Sequence, residues 1–288
     1  GESAKSTLPI EPGQKMSKDF LPTFTVADLK RLREHCPAKL YIDVKFFTEQ
    51  KAPIPYHKTE DVHFYPRSVA VLWSTKKDGT LLNCTDGLAA WVTPRLPEIE
   101  KLHRKAADYH PEGELRGYPD ERTKEAQKHA VREQVRALFQ ALYQEVQLAY
   151  ATSSNVVHPQ ADQTHYVLQN VRLPADIFKA GGPANCLDGS LLFASLLEKA
   201  NLQPLLLLHQ GHAVVGWRIY PEKEIYEFLE ATSINRGDFE LACQQGREVY
   251  QKAYPRGRSA ISALDTLNGP LLVDIVACRK RNIVPMDW

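Results

Sequence analysis

The stretch NCLDGSLLFASLLEKANLQPLLLLHQGHAVVGWRIYPEKEIYEFLE, residues 185–230, leaves the chain few ways to fold. Its first part, about 187–200, has helical character and is apolar on several sides, with Leu187, Leu191, Phe193, Ala194 and Leu197. A helix with no continuous polar face has to be central and buried. Three apolar runs follow at 204–209, 212–220 and 224–230, broken by Gln210–Gly211 and by Pro221–Lys223. Connections this short join antiparallel neighbours. Helix first and antiparallel strands afterwards predicts the α+β class.

The rest of the chain is read around this block. Residues 1–20 are polar and form a loose lead-in, and TVADLKRLREHC (25–36) reads as a short helix with Thr25 as N-cap. Between 39 and 93 the runs LYIDVKFF, VHFYPRSVAVLWST and TLLNCTDGLAAWVT are β-branched and aromatic, with DG turns at 78–79 and 86–87. They predict a β-rich N-terminal module over 21–95, whose Trp73 and Trp91 are read as core or rim. Residues 94–110 predict a connector and a helix, and 111–121 a loop. A long helix is predicted over 121–150, with Val131, Val135, Leu138, Phe139, Leu142, Val146 and Ala149 on one stripe. Residues 156–182 read as irregular, 237–252 as helix, and LLVDIVACRK as strand or helix. The second domain is therefore drawn over 96–288.

Cys186 stands at the mouth of the central helix, just after Gly181, Gly182 and Pro183. A helix N-terminus favours a thiolate, and the same unpaired N–H groups can hold an oxyanion. A lone cysteine is also a common small core residue, so the thiol needs a base. His212 opens a strand after a tight turn. A hairpin centred on Glu222 sets Glu230 opposite Val214, diagonal to His212 and on the same face. A carboxylate there would fix the ring's tautomer and support its charge. His209 lies at odd spacing from His212 and is expected to point elsewhere. Asp188 is expected to complement the helix dipole or bond local amides, and Asp238 to be a weaker third member than Glu230.

With these residues in view, NCLD, GHAVVGW and FLEATSI resemble the transglutaminase-like branch of the papain-like cysteine enzymes, most closely a bacterial subset. The tail RNIVPMDW adds to the likeness, which spans about 165–288 and is tightest over 183–235. The resemblance implies a papain/transglutaminase-like core, a nucleophile helix packed on an antiparallel sheet. It also implies a catalytic Cys186, His212 and Glu230. Glu departs from the commoner Asp, and the family's glutamine shortly before the cysteine is missing. Gln169 is the nearest upstream glutamine and a candidate oxyanion donor; the backbone N–H of Cys186 is the other.

The implied activity is cysteine-dependent acyl transfer, with peptide-bond hydrolysis first and transglutaminase or amidase chemistry as alternatives. A non-catalytic binding scaffold and a metal site built from Cys186, His209, His212 and Cys243 are the other readings. No structural-zinc spacing supports the metal, and no cofactor is expected. A net charge of +1 gives no nucleic-acid footprint, and Arg279, Lys280 and Arg281 read as a solvated face. No run approaches the length that spans a bilayer. The expected partner is a protein or peptide substrate, with a further protein docking on the N-terminal module. Five scattered cysteines favour reduced thiols and a cytoplasmic location. The start GESAKST lacks a Met and is read as trimmed or processed.

Overall fold

The computed structural model describes residues 2–16, 23–48, 51–75, 78–121, 123–151, 155–159, 165–179, 182–255 and 269–286. Its contacts divide into two units, 1–68 and 69–288. The class is α+β, with mainly antiparallel sheets.

In the first unit Thr25 caps α1 (Val26–Arg31) in a reciprocal box with Asp28. The helix ends earlier than the sequence suggests; it buries none of its residues, so no packing prolongs it. β1 (Cys36–Thr48) and β2 (Lys51–Phe64) form one antiparallel ribbon. Alternation sorts its faces: Leu40, Ile42, Val44 and Phe46 share one with Ile54 and Tyr56, while the other carries the Lys39–Asp61 and Asp43–His57 pairs.

The second unit begins with β3 (Val69–Thr75) and β4 (Leu81–Asn83), then a 3₁₀ segment Thr85–Trp91. Next come α2 (Pro97–Asp108), α3 (Lys124–Glu145), β5 (Ala149–Tyr150), β6 (Asn155–Pro159), β7 (His165–Asn170), α4 (Pro174–Lys179) and β8 (Pro183–Ala184). The remainder is α5 (Cys186–Lys199), β9 (Pro204–His209), β10 (His212–Arg218), β11 (Tyr226–Leu229), a 3₁₀ segment Ala231–Arg236, α6 (Phe239–Ala253), β12 (Leu271–Asp274) and α7 (Ile275–Lys280). One sheet runs β11-β10-β9-β12 and is antiparallel throughout; a second runs β4-β3-β7-β6.

The division falls before β3, not at residue 95, because β3 pairs with β7 of the second unit. Trp73 and Trp91 are buried in the same core as α5. TLLNCTDGLAAWVT is not a strand beyond Asn83: Asp86–Gly87 lies within the 3₁₀ turn that buries Leu88, Ala89 and Trp91. The span read as irregular supplies β6, β7 and α4; β6 and β7 pair with each other, and β7 pairs with the distant β3 in the same sheet. LLVDIVACRK is both strand and helix, since Asp274 ends β12 and caps α7 through the Ala277 amide at 3.0 Å.

The helix α5 is enclosed over almost its whole length, from Leu187 to Leu197. Arg279 is not on a solvated face. Its guanidinium bonds both oxygens of Glu198, at 2.9 and 2.8 Å, and the carbonyls of Ala89, Val92 and Ile283 at 2.8–2.9 Å. All five donors are used, which ties α7 and the 3₁₀ segment to the end of α5. Among the described residues no helix is long and apolar enough to cross a membrane.

α6 lies on β11 at backbone contact. A Cβ on Gly246 would stand 2.5 Å from the Leu229 nitrogen and from the Phe228 carbonyl carbon. Gly246→Ala must therefore push helix and strand apart, and overpacking of this kind costs about 1–3 kcal/mol, more than the ~1 kcal/mol that alanine's helix propensity returns. Urea denaturation of the variant should show a lower midpoint at unchanged slope; an equal or higher midpoint would mean that this contact is not tight.

Candidate active site

Cys186 is the first residue of α5, half-buried, and carries a free thiol. The helix starts here because Asn185 caps it: Asn185 Oδ1 accepts from the Asp188 amide at 2.8 Å, and Asp188 Oδ2 accepts from the Asn185 amide at 3.1 Å. Asp188 is fully buried and also accepts from the Arg172 amide at 2.8 Å and its guanidinium at 2.9 Å. Burial raises its pKa above the ordinary carboxylate value, against the pull of these donors. Upstream, Gly182 has φ 89° and lies against the Val146 and Gln147 carbonyls, where a Cβ would come within 3.1 Å of both. Gly181 lies outside the described residues.

His212 opens β10 directly after a two-residue turn. Gln210 and Gly211 both have positive φ, 50° and 76°, as tight hairpins that match strand twist require. The β10–β11 register runs from Val215↔Leu229 to Arg218↔Tyr226, the register of a hairpin centred on Glu222. It continues to set Glu230 beside His212, and Glu230 Oε2 stands 2.5 Å from His212 Nε2.

Glu230 is held from three sides. Its other oxygen accepts from the Thr232 amide at 3.0 Å and hydroxyl at 2.7 Å, and its own amide donates to the Ala242 carbonyl at 2.9 Å. Burial pushes its carboxyl up, but the His212 and Thr232 hydrogen bonds outweigh that and hold it below the ordinary value. The Cys186 thiol beside the ring, followed by the Glu230 carboxylate, favours the charged imidazole, and these two neighbours raise the His212 pKa to about 10 against the opposing effect of burial. With Nε2 on the carboxylate, Nδ1 is the nitrogen left for the sulfur. Imidazole and carboxylate are thus directly bonded, and the sulfur acts on the same ring.

The other sequence candidates fall elsewhere. Gln169 is buried on β7, its side-chain amide donating to the Asn170 carbonyl at 2.9 Å. Asp238 caps α6 through the Leu241 amide at 2.9 Å. Cys243 is buried in α6, its thiol pushed up to about 12 by burial. No group of three or more His, Cys, Asp or Glu among the described residues could hold a metal ion. His209 does not point elsewhere: it is the direct register partner of His212. Counting parity along one strand fails here because the chain reverses between the two residues. Sequence reasoning also missed Arg172 and Thr232. The Asn185-x-x-Asp188 spacing is a legible capping box, but nothing local marks Arg172 as the partner of Asp188.

No family model, curated protein or solved structure matches this chain.

The site predicts an unusual titration. Because the pKa of His212 is raised above that of an unfolded histidine, its contribution to stability is complete below about pH 6.5. It is lost as pH rises through the folded value of about 10. Imidazole NMR of the folded protein should show a charged ring at neutral pH. In Cys186→Ala, which removes the largest cause of the shift, the same ring should titrate lower. A wild-type ring that titrates near 6.5 would contradict the geometry.

Proposed function

We propose that residues 69–288 form a cysteine-dependent acyl-transfer enzyme on a papain/transglutaminase-like core, most simply a protease, with Cys186 as nucleophile, His212 as acid and base, and Glu230 orienting the ring. The observation that carries this reading is the His212–Glu230 pair, with Nε2 2.5 Å from the carboxylate, on a ring whose charge is also favoured by the Cys186 thiol at the start of α5. Structural histidines rarely need two such partners, whereas a nucleophile, its base and an orienting acid need this order.

In the resting pair the proton lies on the ring, and the sulfur accepts its hydrogen bond. Sulfur attacks an amide carbonyl, forming the S–C bond while the carbonyl π electrons move to oxygen. The backbone N–H of Cys186, in the unpaired first turn of α5, is the oxyanion donor we assign. Collapse of the oxyanion breaks the C–N bond, and His212 gives its proton to the departing nitrogen. Water then adds to the thioester, transferring a proton to His212. The C–S bond breaks, the acid product leaves, and the charged imidazolium and thiolate are restored. Glu230 stays ionised throughout and supports the imidazolium each time it forms. The described cysteines are all free, which supports a reducing compartment such as the cytoplasm.

Alkylation with iodoacetamide tests the nucleophile. Cys186 should react first among the five thiols, and Cys186→Ala should abolish both this labelling and any amide hydrolysis. His212→Ala should slow turnover by about 10²-fold or more, the range expected of a positioned acid–base group. Equal, slow labelling of Cys186 in wild type and His212→Ala would favour a binding scaffold that has the fold without the chemistry.

A further inference from the structure

Three side chains form a row across one end of the β11-β10-β9 sheet. Glu230 follows the last residue of β11 and caps the next 3₁₀ segment, His212 opens β10, and His209 ends β9 as the register partner of His212. Residues directly opposite each other project from the same face, with Cβ atoms about 4.5–5.5 Å apart. His212 is therefore flanked on both sides. Glu230 closes the β11 flank, and the β9 flank belongs to His209.

The state of His209 is unusual. The residue is half-buried, and its Nδ1 is enclosed without a hydrogen-bond partner among the described residues. An enclosed N–H with no acceptor is costlier than an enclosed lone pair. The favoured tautomer thus carries its proton on Nε2. Burial also lowers the pKa of His209, which favours the neutral ring. The ring is a donor beside the acid–base histidine, and nothing in the triad uses it.

We infer that His209 recognises the leaving-group side of the substrate, its Nε2–H donating to a carbonyl oxygen one residue beyond the scissile bond, so that the substrate class is a peptide cleaved in its interior. The inference rests on the acyl-transfer reading. In that reaction the departing nitrogen must stand over His212, which protonates it. The Glu230 flank is filled, so the chain attached to that nitrogen runs out past His209. A peptide leaving group offers a carbonyl there. A side-chain amide, which releases ammonia, has none, and the donor would be idle.

The test compares two probes on the full chain. One is p-nitrophenyl acetate, which acylates a nucleophilic thiol and has no leaving-side carbonyl. The other is a quenched fluorogenic peptide library with residues on both sides of every bond. His209→Phe keeps a ring and removes the N–H; His209→Gln restores an amide donor. The ratio of peptide to ester kcat/KM should fall roughly three- to tenfold in His209→Phe, the worth of one neutral hydrogen bond, and recover in His209→Gln. Should His209→Phe fail to fold, His209→Met against His209→Gln gives the same comparison at matched length. An unchanged ratio overturns the inference, as does a wild type that the ester acylates at Cys186 but that cleaves no library peptide. If the ester leaves Cys186 untouched, the acyl-transfer reading falls with it.

Discussion

Enclosure of α5 is the constraint from which the rest of the second unit follows. A helix apolar on every side has to be wrapped, and β9, β10, α2, α3 and the 3₁₀ segment Ala231–Arg236 do most of the wrapping. Wrapping creates a difficulty at each end, because the terminal backbone groups of a buried helix still need partners. At the start, Asn185 and Asp188 supply them, and Arg172 matches the charge that Asp188 brings inside. Near the other end Glu198 is taken by Arg279, whose remaining donors hold three main-chain carbonyls. The helix is thus fixed at both ends by arginine–carboxylate pairs from distant parts of the sequence. That rigidity is what the nucleophile proposed for its first turn would require.

The second positioning device is the pair of hairpins. Gln210–Gly211 fixes where β10 starts, and the turn around Glu222 fixes which residue of the next strand comes alongside His212. Neither turn touches the sulfur. Together they set one register, and a one-residue slip would carry Glu230 to the opposite face. Gly246 adds a third restraint by letting α6 settle against Phe228 and Leu229, which allows the Ala242 carbonyl to take the Glu230 amide. The carboxylate is therefore aimed by backbone, and only its last atoms are aimed by the imidazole.

What could be read from the sequence was what local rules govern. The start of α5, the strand 204–209 and the turn after it lie where periodicity and turn chemistry put them. The 3₁₀ segment at 85–91 was misread because a β-branched, aromatic run with an Asp-Gly pair looks like a hairpin; it is recruited instead to roof the core, with Asp86 held by Arg281. The boundary at 95 was misplaced because β3 reads as one more strand of the preceding run, and only its pairing with β7 assigns it to the second unit. Arg279 looked like part of a basic cluster, since its five acceptors come from three separate stretches. The position of His209 depended on an alternation rule applied across a turn, where it does not hold.

Two carboxylates are almost wholly buried close to the thiol, and their surroundings assign them different work. Asp188 is surrounded by partners that do not titrate in the physiological range: two amides and a guanidinium. Such a group is an anchor, since nothing near it can change charge and release it. Glu230 has the same burial, but one of its oxygens faces a side chain that can gain or lose a proton, and the other is held by Thr232. Its hydrogen bond to the ring is strongest when the ring is charged, so it favours the imidazolium over the neutral form. A buried carboxylate with only fixed partners stabilises one structure. One that shares its hydrogen bond with a titratable ring stabilises one protonation state of that ring, and this difference in partners, rather than burial or distance alone, separates Glu230 from Asp188.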